Sequence, residues 1–389
     1  MRKILIVSDT FLPEIRSSTT IINDLINYSI NLGDEVTLIT QKENNRNIKK
    51  KNFNIIEVNN LFKKNRIFFL RGISELMLPL FFYLRLLKFN KKFDYIYIYS
   101  PPLTLGLLCK LVKDSKNKVL LNVQDMFPDN AKNLDIIKNS LIYYFYKKIE
   151  KISLNNADQI LVHSEGNAKY LSKQFPTNSD KIKVVYNWIN YENKHLKYLK
   201  NYKEKNIEQK TLKIIYAGIS GPAQNLIELL PMFKLVNHKK LNAKFDFFIS
   251  GTQKNDFQLI INTNNLNELV KINDLIEREE YLENLKYYDL GLVVLSKKNK
   301  TPTIPGKCID YMLAGIPIIS FSNKESDLEY YLKISKSGFN CTSSDPMDML
   351  NILMHFYNDR KLIEKMGSNG NKFLKNKLTL EIAYNKIFK

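Results

Sequence analysis

Short apolar runs alternate along this chain with longer stretches in which apolar residues are spaced as on one face of a helix. Such runs, bounded by polar segments, are typical of buried strands. They lie at Ile4–Val7, Glu35–Ile39, Tyr95–Tyr99, Val119–Val123 and Gln159–Val162, and again at Lys213–Tyr216, Phe245–Ile249, Leu290–Leu295 and Ile316–Ser320. Strands that alternate with helices predict an α/β fold, with parallel sheets covered by helices on both faces.

A polar stretch separates the two groups of strands. Residues 191–210 are rich in Lys, Asn and Tyr and have no apolar period, so we interpret them as an interdomain linker. The chain of 389 residues is long enough for two domains. We therefore predict a Rossmann-like domain at 1–190, a second one at 211–365, and a C-terminal helix at 366–389 that returns to the first domain.

The composition indicates a folded protein, since 44% of the residues are hydrophobic and 12% are aromatic. Three cysteines, Cys109, Cys308 and Cys341, are widely spaced, which excludes a disulfide framework and a CxxC metal site. The opening MRKILIVSDTF has the pattern of a first strand and not of a signal peptide. The protein is therefore expected in the cytoplasm.

The formal net charge of +20 would suit nucleic acid, an anionic membrane or phosphorylated substrates. Basic residues cluster in Leu61–Lys92, around the apolar run Leu76–Leu84, against the single acid Glu75. That run is too short to cross a bilayer, which takes roughly 20 residues. It has the composition of a segment that lies on an anionic membrane surface. The alternative is a core helix whose basic ends are solvated.

The segment TPTIPGKCIDYMLAGIPII, residues 301–319, carries the most specific signal. Its Pro-Gly-Lys turn opens a short helix, and the positive end of a helix with its unpaired N–H groups favours a phosphate. Lys307 adds a charge there, and Asp310, one turn further on, could accept hydrogen bonds from a ribose diol. The alternative is an ordinary helix–strand connection in which both side chains are solvated. No GxGxxG follows the first strand, which argues against a dinucleotide oxidoreductase.

Further motifs occur in a characteristic order: KILIVSDTFLPE, LGDEVTLIT, FDYIYIYSPPL, QDMFPD, ADQILVHSEG, KIKVVYNWIN, YAGISGPAQN and PGKCIDYMLAGIPII. With them the chain resembles the retaining glycosyltransferases of family GT4, and within them the bacterial O-antigen and capsule branch. The resemblance implies the GT-B architecture of two facing Rossmann-like domains. It also implies a nucleoside diphosphate sugar on the C-terminal domain, an acceptor on the N-terminal one, and transfer without a metal ion or other cofactor.

The resemblance also implies site residues. The donor-binding residues would be Gly218, Ser220, Gly221, Gln224, Asn225, Glu277, Pro305, Gly306, Lys307 and Asp310. Without a metal, helix N-termini, backbone N–H groups and Lys307 must stabilise the leaving diphosphate, which makes Lys307 a catalytic candidate. The chain departs from the family pattern in two places. Pro302 replaces the first of two family glutamates, Asp310 replaces the second, and Gly221–Gln224 stand where many members have an Arg and a Lys.

On the acceptor side, Asp125 is the second catalytic candidate. It could hydrogen-bond the transferred sugar or accept the acceptor's proton, or it could cap a helix that starts near Pro128. Glu14, Arg16 and Ser17, in the loop after the first strand, are predicted to contact the acceptor, although the charged residues there could equally be solvated.

The sequence thus predicts a retaining glycosyltransferase at the inner face of the plasma membrane. It would move a sugar from a UDP-linked donor to a lipid-linked oligosaccharide during surface polysaccharide synthesis, and Leu61–Lys92 would contact the membrane. A GT-B-fold nucleotide-sugar epimerase is the first alternative, and it would not need a membrane-facing basic segment. A basic nucleic-acid-binding protein is the second, but no nucleic-acid-binding module is recognisable in the sequence.

Overall fold

The computed structural model describes residues 1–14, 17–43, 52–59, 68–89, 91–201 and 211–389. The chain divides into two compact units: the first comprises Met1–Asn190 and Leu380–Lys389, and the second comprises Tyr191–Thr379. The described part of the predicted linker, 191–201, therefore belongs to the second unit. The predicted returning segment 366–389 is divided, because only its last ten residues join the first unit.

The first unit contains a parallel sheet, of which the described residues form seven strands in the order β3-β2-β1-β4-β5-β6-β7. The strands are β1 Lys3–Val7, β2 Glu35–Gln41, β3 Asn54–Val58, β4 Tyr95–Ser100, β5 Lys118–Val123, β6 Gln159–Val162 and β7 Ile182–Val184. Strand order reverses between β1 and β4, and ligands of open α/β sheets bind beyond the carboxyl ends of the strands at such a point.

Helices cover both faces of this sheet. They are α1 Ser17–Asn31, α2 Phe68–Phe89, α3 Leu108–Val112, α4 Asp129–Asn133, α5 Ser140–Asn156, α6 Glu165–Gln174 and α14 Leu380–Phe388. One core contains Leu78 and Phe82 of α2 and Leu108 of α3. The other contains Ile22 of α1 and Tyr384 of α14. Both faces of the strands are buried, which explains why the strands read as continuous apolar runs.

The last helix, α14, is fastened to the first unit by polar contacts. Asp34 receives the Arg2 guanidinium, with Nε 3.0 Å from Oδ1, and also the Tyr384 hydroxyl. The Leu380 N–H donates to the carbonyl of Ile189 at 3.0 Å. The end of the chain therefore completes the first unit.

The second unit contains a parallel sheet whose described strands number six, in the order β10-β9-β8-β11-β12-β13. The strands are β8 Leu212–Ile219, β9 Ala243–Ser250, β10 Val270–Asn273, β11 Leu290–Val294, β12 Ile318–Phe321 and β13 Gly338–Cys341. The helices are α7 Leu230–His238, α8 Lys254–Thr263, α9 Arg278–Asn284, α10 Lys307–Ala314, α11 Leu328–Ser335, α12 Pro346–Asn358 and α13 Arg360–Lys377. Here the strand order reverses between β8 and β11.

A buried ion pair holds the start of the second unit. The Lys200 side chain is 1% exposed, and its Nζ lies 2.9 Å from Oδ1 of Asp289. The other oxygen of Asp289, Oδ2, accepts the Lys213 N–H at 3.0 Å and lies 3.4 Å from Nη1 of Arg360. Near the end of this unit, Asn371 of α13 donates to the carbonyls of Met312 and Leu313 at the end of α10. These contacts explain why 191–201 and α13 stay with the second sheet.

Helix α2 presents two different apolar faces. Leu78 and Phe82 are buried, whereas a second stripe is exposed at helical spacing. The exposed stripe consists of Ile73, Met77, Leu80, Phe81, Leu84 and Leu87, each at least 38% exposed. Pro79 lies inside the helix without ending it. In the described part of the chain, no helix has the length and apolarity that crossing a membrane requires.

Candidate functional site

The loop after β8 folds back on itself at the point where the second sheet reverses its strand order. Gly218 has a φ of 140°, a conformation that residues with a Cβ rarely adopt. The N–H groups of Gln224 and Asn225 both donate to the Gly221 carbonyl, at 3.0 and 2.8 Å. Asn225 lies in the left-handed region with a φ of 46°. The structure therefore brings five predicted donor residues, including the buried Ser220, into one compact loop.

Lys307, the first residue of α10, reaches this loop. Its Nζ lies 3.9 Å from the centre of the Tyr216 ring, and a Cβ added to Gly218 would lie 3.3 Å from Nζ. Lys307 keeps intermediate exposure as a residue, yet loss of water around the ammonium group lowers its pKa to about 8. In their negatively charged forms, nearby Cys308 and Asp310 would raise the pKa of Lys307, but their effect is smaller. Two segments that are 89 positions apart (307 − 218) thus form one site.

Some of the backbone N–H groups that the sequence analysis assigned to a phosphate are already used. Three of them donate within the second unit: Ser220 to Ser250, Cys308 to Pro305 and Ile309 to Gly306. Gly306 is the N-cap of α10, and no side chain caps this helix. What the start of α10 offers an anion is therefore chiefly the positive end of its dipole together with the charge of Lys307.

Asp310 is buried and forms a two-point ion pair with Arg278 of α9. The distances are 2.7 Å from Nη2 to Oδ1 and 3.3 Å from Nη1 to Oδ2. Glu277 precedes Arg278 as the exposed N-cap of α9, and its side chain makes no capping hydrogen bond. Glu277 is the chain neighbour of Arg278, and the alternative that Asp310 is a solvated surface residue is wrong.

The residues that hold the loop after β8 in place were not predicted from the sequence. Glu228 accepts the side-chain N–H of Asn225 at 2.7 Å and the Ser296 hydroxyl at 3.3 Å, which ties the loop after β8 to the loop after β11. Lys297 donates to three carbonyls, those of Ser322, Thr342 and Ser343. Burial lowers the pKa of Lys297. These residues could have been found only by considering which strand ends share the sheet reversal.

In the first unit, a cavity of about 410 Å³ opens beyond the carboxyl ends of β1, β4 and β5. Asp125 lines it, and loss of water raises the pKa of its carboxyl although the side chain reaches the surface. The N-cap of α4 is Pro128, and no side chain caps that helix. The interpretation of Asp125 as a helix cap is therefore wrong, and the residue is placed where it can contact a bound molecule.

Asp129 fixes the segment that follows Asp125. Its carboxylate accepts hydrogen bonds from Tyr143 at 2.6 Å, Tyr170 at 2.9 Å and Gln174 at 3.0 Å, and Lys147 lies 3.1 Å away. Burial would raise its pKa, but these partners together hold it below the ordinary value. Asp129 is thus a structural residue that joins α4 to α5 and α6.

The three other residues predicted on the acceptor side, Glu14, Arg16 and Ser17, are not among the described residues that line the cavity. Glu14 is half-buried and does not line the cavity; Arg16 lies outside the described residues, and Ser17 is described only as the start of α1. Ser18, the next residue, does line the cavity. Among the described residues, no group of three His, Cys, Asp or Glu side chains is placed to hold a metal ion. Metal independence stays a prediction.

Comparison with known proteins gives a consistent result. Residues 18–193 match the sequence profile of Glycosyltransferase Family 4. The probable glycosyltransferase WbjE of Pseudomonas aeruginosa is 21% identical over 315 residues, which cover 75% of this chain and 72% of that protein.

Solved structures share the architecture over nearly the whole chain. WaaG, a glycosyltransferase involved in lipopolysaccharide biosynthesis, aligns with a TM-score of 0.69 and 12% identity, covering 99% of both chains. HepE of Anabaena, solved in complex with UDP, aligns with a TM-score of 0.71 and 12% identity, and the alignment covers 99% of this chain and 98% of HepE. Sucrose-phosphate synthase of Thermosynechococcus elongatus aligns with a TM-score of 0.73 and 13% identity, and the alignment covers 99% of this chain and 97% of the synthase. The predicted α/β fold with two Rossmann-like units of GT-B type is confirmed.

Proposed function

We propose that this chain, a family 4 glycosyltransferase with a GT-B fold, transfers a sugar from UDP to a lipid-linked oligosaccharide during surface polysaccharide synthesis. The observation that carries the donor part is the contact between Lys307 and the Gly218 loop, at the strand-order reversal of the second sheet. HepE binds UDP on the same fold, which supports a uridine nucleotide here.

Lys307 has the geometry to bind the diphosphate. During transfer, the bond between the anomeric carbon and the diphosphate oxygen breaks, and negative charge develops on that oxygen. A cation at the start of a helix stabilises this charge without a metal ion. Gly218 allows the close approach, since any side chain at that position would crowd Nζ. Asp310, whose orientation Arg278 fixes, would accept a ribose hydroxyl.

On the acceptor side, Asp125 would take the proton that the attacking hydroxyl loses as the new glycosidic bond forms. A raised pKa brings the carboxylate closer to the range in which a general base is effective. The new bond is expected to retain the anomeric configuration.

The lipid-linked nature of the acceptor is supported by helix α2. Its exposed apolar stripe ends near Arg85 and Lys88, which are also exposed. Apolar residues beside cations suit the surface of an anionic membrane, where each basic residue contributes about 1 kcal/mol. The core interpretation holds for the opposite face, which contains Leu78 and Phe82. Residues 61–67 and 90 of the predicted membrane segment lie outside the described residues.

The donor proposal is tested by thermal stabilisation with UDP, GDP, dTDP and CMP, each with magnesium and with a chelator. A ligand that binds only the folded state raises the melting temperature. We expect UDP to stabilise the protein equally in both conditions, and Lys307→Met to abolish the shift. The control is Lys234→Met, on an exposed position of α7. Stabilisation by none of the four nucleotides, or only with magnesium, would contradict the proposal.

The membrane proposal is tested by flotation with vesicles that contain about 30% anionic lipid, which makes their surface potential negative. The variant Leu80→Ser/Leu84→Ser changes the exposed stripe of α2 and is expected to weaken flotation. Leu259→Ser, on an exposed leucine of α8 in the second unit, is the control. Unchanged flotation of the α2 variant would exclude this face.

A further inference from the structure

Strands β8 and β11 flank the strand-order reversal of the second sheet, and their pairing is short. Among the described residues it covers two positions, the second of which joins Ile215 of β8 to Gly291 of β11. Both strands run on beyond this pair, β8 to Ile219 and β11 to Val294. The strands therefore separate here, and the contacts at this point form the base of the crevice in which open α/β sheets bind their ligands.

The hydroxyl of Tyr311 lies where the two strands separate. Its oxygen is 3.2 Å from the carbonyl oxygen of Ile215 in β8 and 3.1 Å from that of Leu292 in β11. Tyr311 is 0% exposed, so no water competes for these contacts. A side chain of α10 thus connects β8 to β11 just beyond the end of their ladder.

Gly291 provides the room for the Tyr311 ring. A Cβ added to Gly291 would lie 2.3 Å from two atoms of this ring, which is closer than non-bonded heavy atoms approach one another. Glycine within a strand often marks a place where another group comes close to the backbone. The ring therefore rests directly on β11, and the pair Gly291–Tyr311 sets the distance between α10 and the sheet.

Tyr311 and Lys307 lie on the same face of α10, because they are four positions apart (311 − 307). The Lys307 Nζ lies 3.9 Å from the centre of the Tyr216 ring, and Tyr216 directly follows Ile215 in β8. Helix α10 therefore contacts two consecutive residues of β8, one through the Tyr311 hydroxyl and one through the Lys307 ammonium group. A displacement at Tyr311 would be transmitted to Lys307 through a single helical turn.

Resting on the proposed function, we propose that Tyr311 is a positioning residue for the donor diphosphate. Its hydroxyl holds α10 against the separating strands and thereby places the Lys307 ammonium group at the Gly218 loop. Because Tyr311 is fully buried, it acts on the nucleotide through Lys307 and not by touching it. Removing the hydroxyl should consequently alter the environment of the ammonium group, while the remaining ring still fills the core.

The first test compares Tyr311→Phe with Tyr97→Phe by calorimetric titration of the full-length protein with UDP at pH 7. Tyr97, in β4 of the first unit, is also 0% exposed, and its hydroxyl has a hydrogen-bond partner, Asn122. Both substitutions keep a buried ring and remove a bonded hydroxyl, so both are expected to lower the melting temperature. Only Tyr311→Phe should weaken UDP binding, by about three- to tenfold, the effect of one hydrogen bond.

The second test repeats the titrations at pH 9. The pKa of Lys307 is about 8, so UDP affinity of the unmodified protein should fall between pH 7 and pH 9 as the ammonium group loses its proton. In Tyr311→Phe, a helix that is held less closely admits water around this group, which moves its pKa towards the ordinary 10.5. The fall in affinity should therefore be smaller. A residue that served only the stability of the fold would leave this pH profile unchanged.

The third test uses Gly291→Ala, which displaces the Tyr311 ring and is expected to weaken UDP binding. In the double variant with Tyr311→Phe, the loss should be smaller than the product of the two single losses, because both act through one contact. Losses that multiply fully would overturn the proposal.

Lys307→Met is measured alongside these variants. If the unmodified protein binds UDP and Lys307→Met does not, normal affinity and an unchanged pH profile in Tyr311→Phe would overturn the positioning role alone. A loss of affinity in Tyr97→Phe equal to that in Tyr311→Phe would also overturn it. Absence of UDP binding by the unmodified protein would overturn the donor proposal and, with it, this inference.

Discussion

Arg278 and Asp310 form a fork-to-carboxylate pair in which two N–H groups meet two oxygens, at 2.7 and 3.3 Å. The Asp310 side chain is 10% exposed, whereas the Arg278 side chain is 42% exposed. Such a pair fixes the orientation of both groups. The carboxylate of Asp310 is therefore oriented by α9, although it belongs to the first turn of α10.

This relationship predicts different effects for two substitutions. Asp310→Asn removes both the pair and the proposed acceptor for the ribose, so we expect UDP affinity to fall by about tenfold, as for a charged hydrogen bond. Arg278→Met removes the pair and leaves the carboxylate, so the loss of affinity should be smaller. Calorimetric titration with UDP measures both. Equal losses would show that Asp310 acts only through Arg278.

The lowered pKa of Lys307, about 8, predicts a pH dependence of nucleotide binding. The cationic form is present below pH 8 and disappears above it, so UDP affinity should be several-fold to about tenfold lower at pH 9 than at pH 7. Lys307→Arg keeps its charge throughout this range and should remove the dependence. Titrations at both values provide the measurement. A pH dependence that persists in the Arg variant would assign it to another group.

The same pKa has a consequence for stability. Because the folded state holds the proton of Lys307 less tightly than the unfolded chain does, the group opposes folding below pH 8, and this cost fades between about pH 8 and 10.5. Lys307→Met is therefore expected to raise the melting temperature at pH 7 while abolishing transfer. A variant that lost both stability and activity would contradict this prediction.

Gly218→Ala should reduce activity through the backbone and through Lys307 together. The φ of 140° is unfavourable for alanine, which costs about 1–3 kcal/mol, and the added Cβ would lie 3.3 Å from Nζ. We expect a lower melting temperature and weaker UDP binding. Gly306→Ala is the control, because it lies in the same site with a negative φ and open space for a Cβ. Similar effects of the two substitutions would contradict the role given to Gly218.

Glu150 provides a pH-dependent prediction in the first unit. Burial raises its pKa to about 7, and Lys147, whose Nζ is 2.5 Å from its Oε2, opposes this only in part. The folded state therefore keeps the proton up to about pH 7, whereas the unfolded chain releases it near pH 4.5, and the resulting stabilisation is lost as the pH rises through that interval.

Glu150→Gln imitates the protonated acid, so it is expected to raise the melting temperature at pH 8 by about 2–4 °C and to have little effect below pH 4.5. Thermal unfolding at the two values measures the difference. Glu364→Gln, at an exposed position of α13, serves as the control. A constant shift at both pH values would show that the effect does not come from titration of Glu150.

The sequence predicted the central strands of both sheets because these are buried on both faces and read as apolar runs. Strands at the edges were missed, and β3, β7, β10 and β13 all lie at a sheet edge. Asn54–Val58 and Gly338–Cys341 contain polar or partly exposed residues, so their pattern is weaker. Periodicity predicts burial, and edge strands are buried less.

The residues of the candidate donor site could be named from the sequence, whereas the contacts that support them could not. Lys307 and the Gly218 loop carry recognisable turns, and turn chemistry is local in sequence. The pairing of Arg278 with Asp310 and the contacts of Glu228 could not be predicted in the same way, because they depend on which loops the topology brings together. The cavity of the first unit shows the same limit: Asp125 was singled out as a site residue, whereas Thr104, which also lines the cavity, was not.

The hydrogen bond between Leu380 and Ile189 has a consequence for dissection of the protein. It joins the residues that flank the entire second unit, so the second unit is a topological insertion within the first. A chain cut at the polar stretch 191–210 would leave the first sheet without α14, and Asp34 would lose Tyr384, one of its partners. A short bridge from Asn190 to Leu380 would instead keep β1 to β7 and α14 on one uninterrupted polypeptide, which makes the cavity of the first unit accessible to study in a separate domain.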